Sequence, residues 1–127
     1  MKCSDIYSLA LAFLGSWPGD AGSDVYASRV VTLFPTVLRK YVHLSHVLSG
    51  AEENDEDDAS LAVSSLNDDF PLDERLADAS AFTLASLLIL EEDSELSELL
   101  EARAEKLIKE IVKESVSVGK IREVYRV

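Results

Sequence analysis

The chain has 127 residues, the usual length of one domain, and 47% of them are hydrophobic and 28% charged. This composition is typical of a globular protein and excludes a fully disordered chain. The formal net charge of -12 argues against nucleic-acid binding over most of the surface, because phosphates would be repelled.

The N-terminal part predicts a short helix followed by a loop. Residues 4–14 carry apolar side chains at helical spacing, and Ser4 or Asp5 is suited to cap their first turn. Glycines and a proline across residues 15–22 predict a loop, because both residue types interrupt helices. Trp17 within this loop is an anchor either for the loop itself or for a partner protein.

A second predicted helix begins near Val25 and ends near Gly50, where glycine favours a left-handed cap. Pro35 lies inside its apolar pattern, so we expect a kink or a break there. Residues 51–72 then predict an acidic loop, since the run from Glu52 to Asp58 is almost continuous negative charge.

Two further helices and a tail are predicted after the acidic loop. The third helix covers residues 73–90 with Asp73 as its cap, and the acidic residues 91–93 end it. The fourth begins at Ser94, and the pattern changes to partial alternation over residues 116–127, which predicts an extended tail. The sequence therefore predicts an all-α fold: one domain over 1–127, a small bundle of about four helices with an acidic loop and a C-terminal tail.

Charge is distributed unevenly along the chain. Residues 1–40 hold four basic and three acidic side chains, and residues 41–101 hold Arg75 against seventeen acids. Residues 102–127 hold seven basic and four acidic side chains. Acidic and basic patches on one chain favour head-to-tail assembly of identical copies. The single cysteine, Cys3, excludes an internal disulfide and favours a reducing environment.

The motifs that carry enzyme chemistry are missing from the sequence. His43 and His46 are spaced to share a metal, but no third ligand stands near them in the sequence. The acidic run Glu52–Asp58 lacks the glycine and the ligand alternation of a calcium loop. No nucleophile elbow or phosphate-binding glycine loop is present. We therefore expect no catalytic residues, metal or cofactor, and no apolar run reaches the ~20 residues that span a bilayer.

The C-terminal half resembles a known group of proteins. Residues 65–73 (Ser-Leu-Asn-Asp-Asp-Phe-Pro-Leu-Asp) lead into the alanine- and leucine-rich stretch 76–90, which ends in the acidic residues 91–93. A helix with Arg103 follows, and the chain closes with Ile-Arg-Glu-Val-Tyr at 121–125. This order is similar to that of head–tail connector (adaptor) proteins of tailed phages and prophages of Gram-positive hosts. The resemblance covers residues 64–127.

The resemblance implies a structural virion protein made in the host bacterial cytoplasm. Such subunits assemble as a ring of about a dozen copies below the portal protein and dock the next connector or tail protein. DNA would pass through the ring without specific binding, and no membrane is involved. Because a lone extended segment needs a partner, the predicted interface residues are those of the tail together with the loop tryptophan: Ile121, Arg122, Val124, Tyr125, Arg126 and Trp17.

Two other functions stay open at this point. A small acidic helical regulatory or adaptor protein would bind a basic protein partner through residues 52–73, and would form no ring. An enzyme is the remaining class, and it has the least support because no catalytic constellation is found in the sequence.

Overall fold

The computed structural model describes residues 1–15, 21–49 and 65–117, and among these residues it contains four α-helices and no β-strand. The helices are α1 (Cys3–Phe13), α2 (Ala21–Ser49), α3 (Ala77–Ile89) and α4 (Ser94–Ser117), with a 3₁₀ turn at Glu74–Leu76 before α3. The predicted all-α bundle is confirmed. The acidic run Glu52–Asp58 lies outside the described residues.

Helix α3 is the centre of the bundle. It makes the main packing contacts with each of the other three helices, and ten of its thirteen residues are buried. Its sequence is nearly free of charge apart from Asp78, a composition typical of a helix that is buried on more than one side. Close approach of the neighbouring helices is possible because much of the buried surface of α3 consists of small residues: Ala77, Ala79, Ser80, Ala81, Ala85 and Ser86.

Helix α1 begins earlier than predicted and is capped differently. Its N-cap is Lys2, so neither Ser4 nor Asp5 is the capping residue. The Asp5 carboxylate instead accepts a hydrogen bond from the Lys2 amide at 2.8 Å. The helix dipole also stabilises an acidic side chain in the first turn, because the N-terminal end of a helix carries partial positive charge. The helix ends at Phe13, and Gly15, two residues later, takes the left-handed conformation with φ of 75°.

The first residues of α1 are held by the segment 65–70. The carbonyl of Asp68 accepts from the Cys3 amide at 2.9 Å, and the carbonyl of Leu66 accepts from the Ser4 amide at 2.8 Å. These bonds satisfy two amides that a helix start leaves without intrahelical partners. Cys3 is consequently fixed in the core with no exposed surface.

Helix α2 begins at Ala21, about four residues before the predicted start, and it runs through Pro35 without a break. Of the two outcomes expected at Pro35, a kink or a break, the break is therefore wrong. Tertiary packing explains why the helix persists, because fully buried side chains precede and follow the proline and hold both halves against the core. These side chains are Val30, Phe34, Val37 and Leu38.

The predicted starts of α3 and α4 are close to the observed ones. The Asp73 carboxylate accepts from the Arg75 amide at 2.9 Å in the 3₁₀ turn, and the Asp93 carboxylate accepts from the Leu96 amide at 3.0 Å. Helix α4, however, continues through Ser117, so the prediction of an extended tail from residue 116 is wrong at its first two positions. Once nucleated, a helix extends at little cost.

A polar clamp joins the 3₁₀ turn to the end of α2. The Asp73 amide donates to the Ser45 hydroxyl at 2.8 Å, and an Arg75 guanidinium nitrogen donates to the Leu48 carbonyl at 2.9 Å. The same guanidinium forms an ion pair with the Asp73 carboxylate at 3.0 Å. The clamp fixes the C-terminal end of α2 relative to α3.

Candidate interaction groove

Helices α2 and α4 both pack on α3 but make little backbone contact with each other, which leaves a groove between them. Two cavities of about 380 and 190 Å³ lie in this groove, and both are lined by Lys40. We call the combined depression the α2–α4 groove. On α4 it extends from Ser97 to Val112, a distance of roughly 22 Å at ~1.5 Å rise per residue. That length matches a helix of about four turns.

The larger cavity has an apolar floor. Tyr41 and Leu44 supply it from α2, and Ile108 and Val112 supply it from α4. Ile108 and Val112 are only half-buried, whereas the two α2 residues are buried. The arrangement follows from helix length: α4 has 24 residues and α3 has 13, so the second half of α4 extends beyond the helix on which it packs.

Tyr41 is held in place in the floor of the groove by burial and by a hydrogen bond. Its side chain is 4% exposed, and its hydroxyl lies 2.6 Å from the Thr83 hydroxyl in a buried hydrogen bond. Burial raises the pKa of Tyr41 above its usual value, and the charges of Glu105 and Glu101 raise it further. The floor of the groove is therefore uncharged at neutral pH.

The rim of the groove carries both signs of charge. Lys40 and Lys109 are exposed on either side of the larger cavity, and the Lys40 ammonium lies 5.6 Å from the centroid of the Tyr41 ring. Neither lysine forms an ion pair with a carboxylate of the described residues. Glu105 and Glu101 line the α4 side. An apolar floor between charged rims is typical of a surface that binds a protein segment.

A second surface lies at the start of α4. Five exposed acidic residues occupy the α3–α4 turn and the first turns of α4: Glu91, Glu92, Asp93, Glu95 and Glu98. We call this set the acidic ridge. Leu99 stands beside it and is 52% exposed, one of the few large apolar side chains that the described residues leave open to solvent.

A separate cavity of about 460 Å³ opens on another side of α4, between that helix and Phe82. Arg103, Lys106 and Glu110 surround it, so its lining is more charged than that of the groove. The Phe82 ring stacks on Phe13 of α1, with ring centroids 3.9 Å apart and planes 5° from parallel. The stack joins α1 to α3.

The interface residues predicted from the sequence all lie outside the described residues: Ile121, Arg122, Val124, Tyr125, Arg126 and Trp17. None of the groove residues is among these predicted interface residues. The last predicted helix is longer than the one before it, which indicates that part of its apolar face extends beyond its neighbour. Within the described residues, no group of three potential metal ligands is assembled around His43 and His46 or elsewhere. No helix of the described segments is long and apolar enough to cross a bilayer.

The chain was also compared with known proteins. No protein-family model, curated protein or solved structure matches it. The groove and the acidic ridge are therefore the structural observations on which a function can be argued.

Proposed function

We propose that this protein is a structural virion subunit, a head–tail connector that assembles as a ring below the portal and joins head to tail. The observation that carries the proposal is the α2–α4 groove, which is long enough for a helix of about four turns and is not covered by any described segment. Its apolar floor and charged rim suit it to a neighbouring protein chain. The resemblance of residues 64–127 to connector proteins supplies the kind of assembly.

The charge of the protein supports passage of DNA through such a ring. The net charge is -12, and residues 41–101 hold seventeen acidic side chains against one basic side chain. Carboxylates that line a channel repel phosphates and prevent the counterion release that makes proteins bind DNA tightly. Double-stranded DNA would thus move through the ring without adhering to it.

The experiment is to co-express the protein with the portal protein of a tailed phage of a Gram-positive host, purify the portal, and average negative-stain images. We expect an added ring of density on one face of the portal and a matching rise in mass by light scattering. Bare portal particles at saturating protein concentration would contradict the proposal.

A truncation tests the predicted contribution of the tail. Because α4 continues through Ser117, the informative variant lacks residues 118–127. We expect this variant to keep the circular dichroism spectrum of a helical protein and to form no ring on the portal. An unchanged ring on the portal would show that Ile121, Val124 and Tyr125 are not interface residues.

The acidic surface also favours a second candidate, an adaptor or regulatory protein that binds a basic partner. Its test replaces the acids of Glu52–Asp58 by Ser or Asn, keeps Asp73 because that carboxylate caps the 3₁₀ turn, and measures binding to a basic protein, such as a histone, at increasing salt. The adaptor function would be favoured if the wild-type protein binds the basic protein tightly, the variant does not bind it, and the portals stay bare. A connector subunit would give the opposite pair of results.

A further inference from the structure

We propose that the α2–α4 groove of one copy binds the acidic ridge and Leu99 of a second copy, so that subunits join head to tail. This inference rests on the proposed assembly function and names the two surfaces that form the contact. It commits the groove to one occupant, a second copy of this chain.

Two lysines of the groove are complementary in charge to the acidic ridge, while Glu101 and Glu105 lie on the α4 side of the same groove. Lys40 and Lys109 flank the larger cavity of the groove, and no described carboxylate pairs with either. Glu95 and Glu98 lie one helical turn before Leu99 and next to it, and both are exposed. Two lysines that form no ion pair within the described residues and stand beside an apolar cavity are suited to a carboxylate-bearing partner.

The apolar parts of the two surfaces also fit. Leu99 and Ala102 are three residues apart on α4 and exposed, so they share one helical face with Glu95 and Glu98. This face would place Leu99 on the floor formed by Leu44 and the neighbouring apolar side chains of the groove. A helix that lays an apolar face into a groove between two other helices is a common recognition mode.

The acidic ridge of one copy cannot reach the groove of the same copy. The ridge and the α4 wall of the groove belong to the same helix, with Glu95 and Lys109 on α4 about 21 Å apart at ~1.5 Å per residue. The contact must therefore join different surfaces on two copies. If two copies do not exchange this contact reciprocally in a dimer, it generates closed rings or open filaments.

The experiment is charge reversal with complementation. The groove variant carries Lys40→Glu and Lys109→Glu, and the ridge variant carries Glu95→Lys and Glu98→Lys. All four side chains are exposed, so folding should persist, which circular dichroism and thermal melts check. Mass is followed by light scattering across protein concentration.

We expect wild-type protein to form oligomers as its concentration rises. Each variant alone should need at least about tenfold more protein for half-assembly, since like charges then face each other. An equal mixture should assemble again, because the acidic groove accepts the basic ridge and the native groove accepts the native ridge. Each variant changes the formal charge of -12 by four, so both stay negative and general attraction does not explain recovery.

Reversal of Arg103 and Lys106, which surround the separate cavity at Phe82, is the matched control and should leave assembly unchanged. The inference is overturned if the variants assemble like wild type, or if the mixture fails to recover. It is also overturned if wild-type protein stays monomeric alone. In each of these cases the portal experiment decides the function separately. If the wild-type protein still adds a ring to the portal, the proposed connector function remains and only the groove–ridge contact is rejected. If the portals stay bare, both proposals are rejected.

Discussion

Ser86 and Ser97 bind each other's backbone across the junction of α3 and α4. The Ser86 hydroxyl donates to the Ser97 carbonyl at 3.0 Å, and the Ser97 hydroxyl donates to the Ser86 carbonyl at 2.9 Å. Both residues are buried, so water does not compete for these bonds. This reciprocal pair fixes the packing of α3 against α4, the two helices that contact each other most extensively.

Loss of the reciprocal pair should be measurable. We expect Ser86→Ala to lower the free energy of unfolding by about 1–2 kcal/mol, because buried partners lose their hydrogen bonds. Ser80→Ala is the matched control on the same helix: the Ser80 hydroxyl is fully buried and has no hydrogen-bond partner in the described part of the chain. It should raise stability by about 0.5–1 kcal/mol in denaturant titrations. Equal effects of the two changes would contradict this account.

The stacked rings of Phe13 and Phe82 should couple α1 to the bundle. We expect Phe82→Ala to destabilise the protein by about 2–3 kcal/mol, less than a fully buried phenylalanine, because Phe82 is only half-buried. A double-mutant cycle with Phe13→Ala should give a coupling energy of about 1 kcal/mol. Additive effects of the two changes would mean that the rings contribute through burial alone.

The Cys3 thiol should be unreactive in the folded protein. Burial raises its pKa to about 11, and the charges of Asp68 and Asp69 act in the same direction. At pH 8 the thiolate fraction should fall about a hundredfold relative to an ordinary thiol, so alkylation by iodoacetamide should be slower by at least that factor. Denatured protein is the control. Similar rates for folded and denatured protein would show that residues 1–5 detach from the 65–70 segment.

The raised pKa of Cys3 also sets a dependence of stability on pH. Between pH 9 and about 11 the unfolded thiol ionises while the folded thiol keeps its proton. The unfolded state then binds fewer protons, so stability should fall as pH rises through this window. Cys3→Ala should remove that part of the fall, as chemical unfolding at several pH values would show. An identical pH profile for the variant would assign the fall to other groups.

Tyr41 should ionise above the usual range for tyrosine. Its pKa is raised by burial and by Glu105 and Glu101, so ultraviolet titration should show a late component that Tyr41→Phe reduces; the pKa of Tyr26 is also raised, by burial and by its hydrogen bond to Glu92, so Tyr26 supplies the remainder. Because the folded state disfavours the charged form, the stability that this tyrosine contributes should be lost as pH rises above about 10. Glu105→Gln should shift the late component to lower pH without unfolding the protein. A component that does not move would exclude Glu105 as a cause.

The sequence was sufficient for the fold class and for features that depend on local residues. Apolar spacing predicted the helices, and the side chain of Asp73 predicted the start of the third helical segment because capping is a local interaction. Errors arose where distant residues decide the outcome. Pro35 should disrupt a helix, but packing on both sides of it holds α2 together. Lys2 caps α1 because residues 65–70 hold it in place.

The α2–α4 groove could not be predicted from helical patterns alone. A pattern shows that Ile108 and Val112 share an apolar face, but it does not show whether another helix covers that face. The separation of α2 from α4 depends on how both pack against the small residues of α3. Only the greater length of α4 gives a sequence-level indication that part of its apolar face extends beyond α3.

The central position of α3 has a consequence for synthesis on the ribosome. Helix α1 has eleven residues, too few to be stable alone, and its first amides need carbonyls of residues 65–70. The other helices pack on residues 77–89, which emerge only after more than half of the chain has been made. The nascent N-terminal segments therefore remain without their native partners for most of translation. This exposes apolar side chains such as Ile6 and Leu11 to chaperones before the bundle closes.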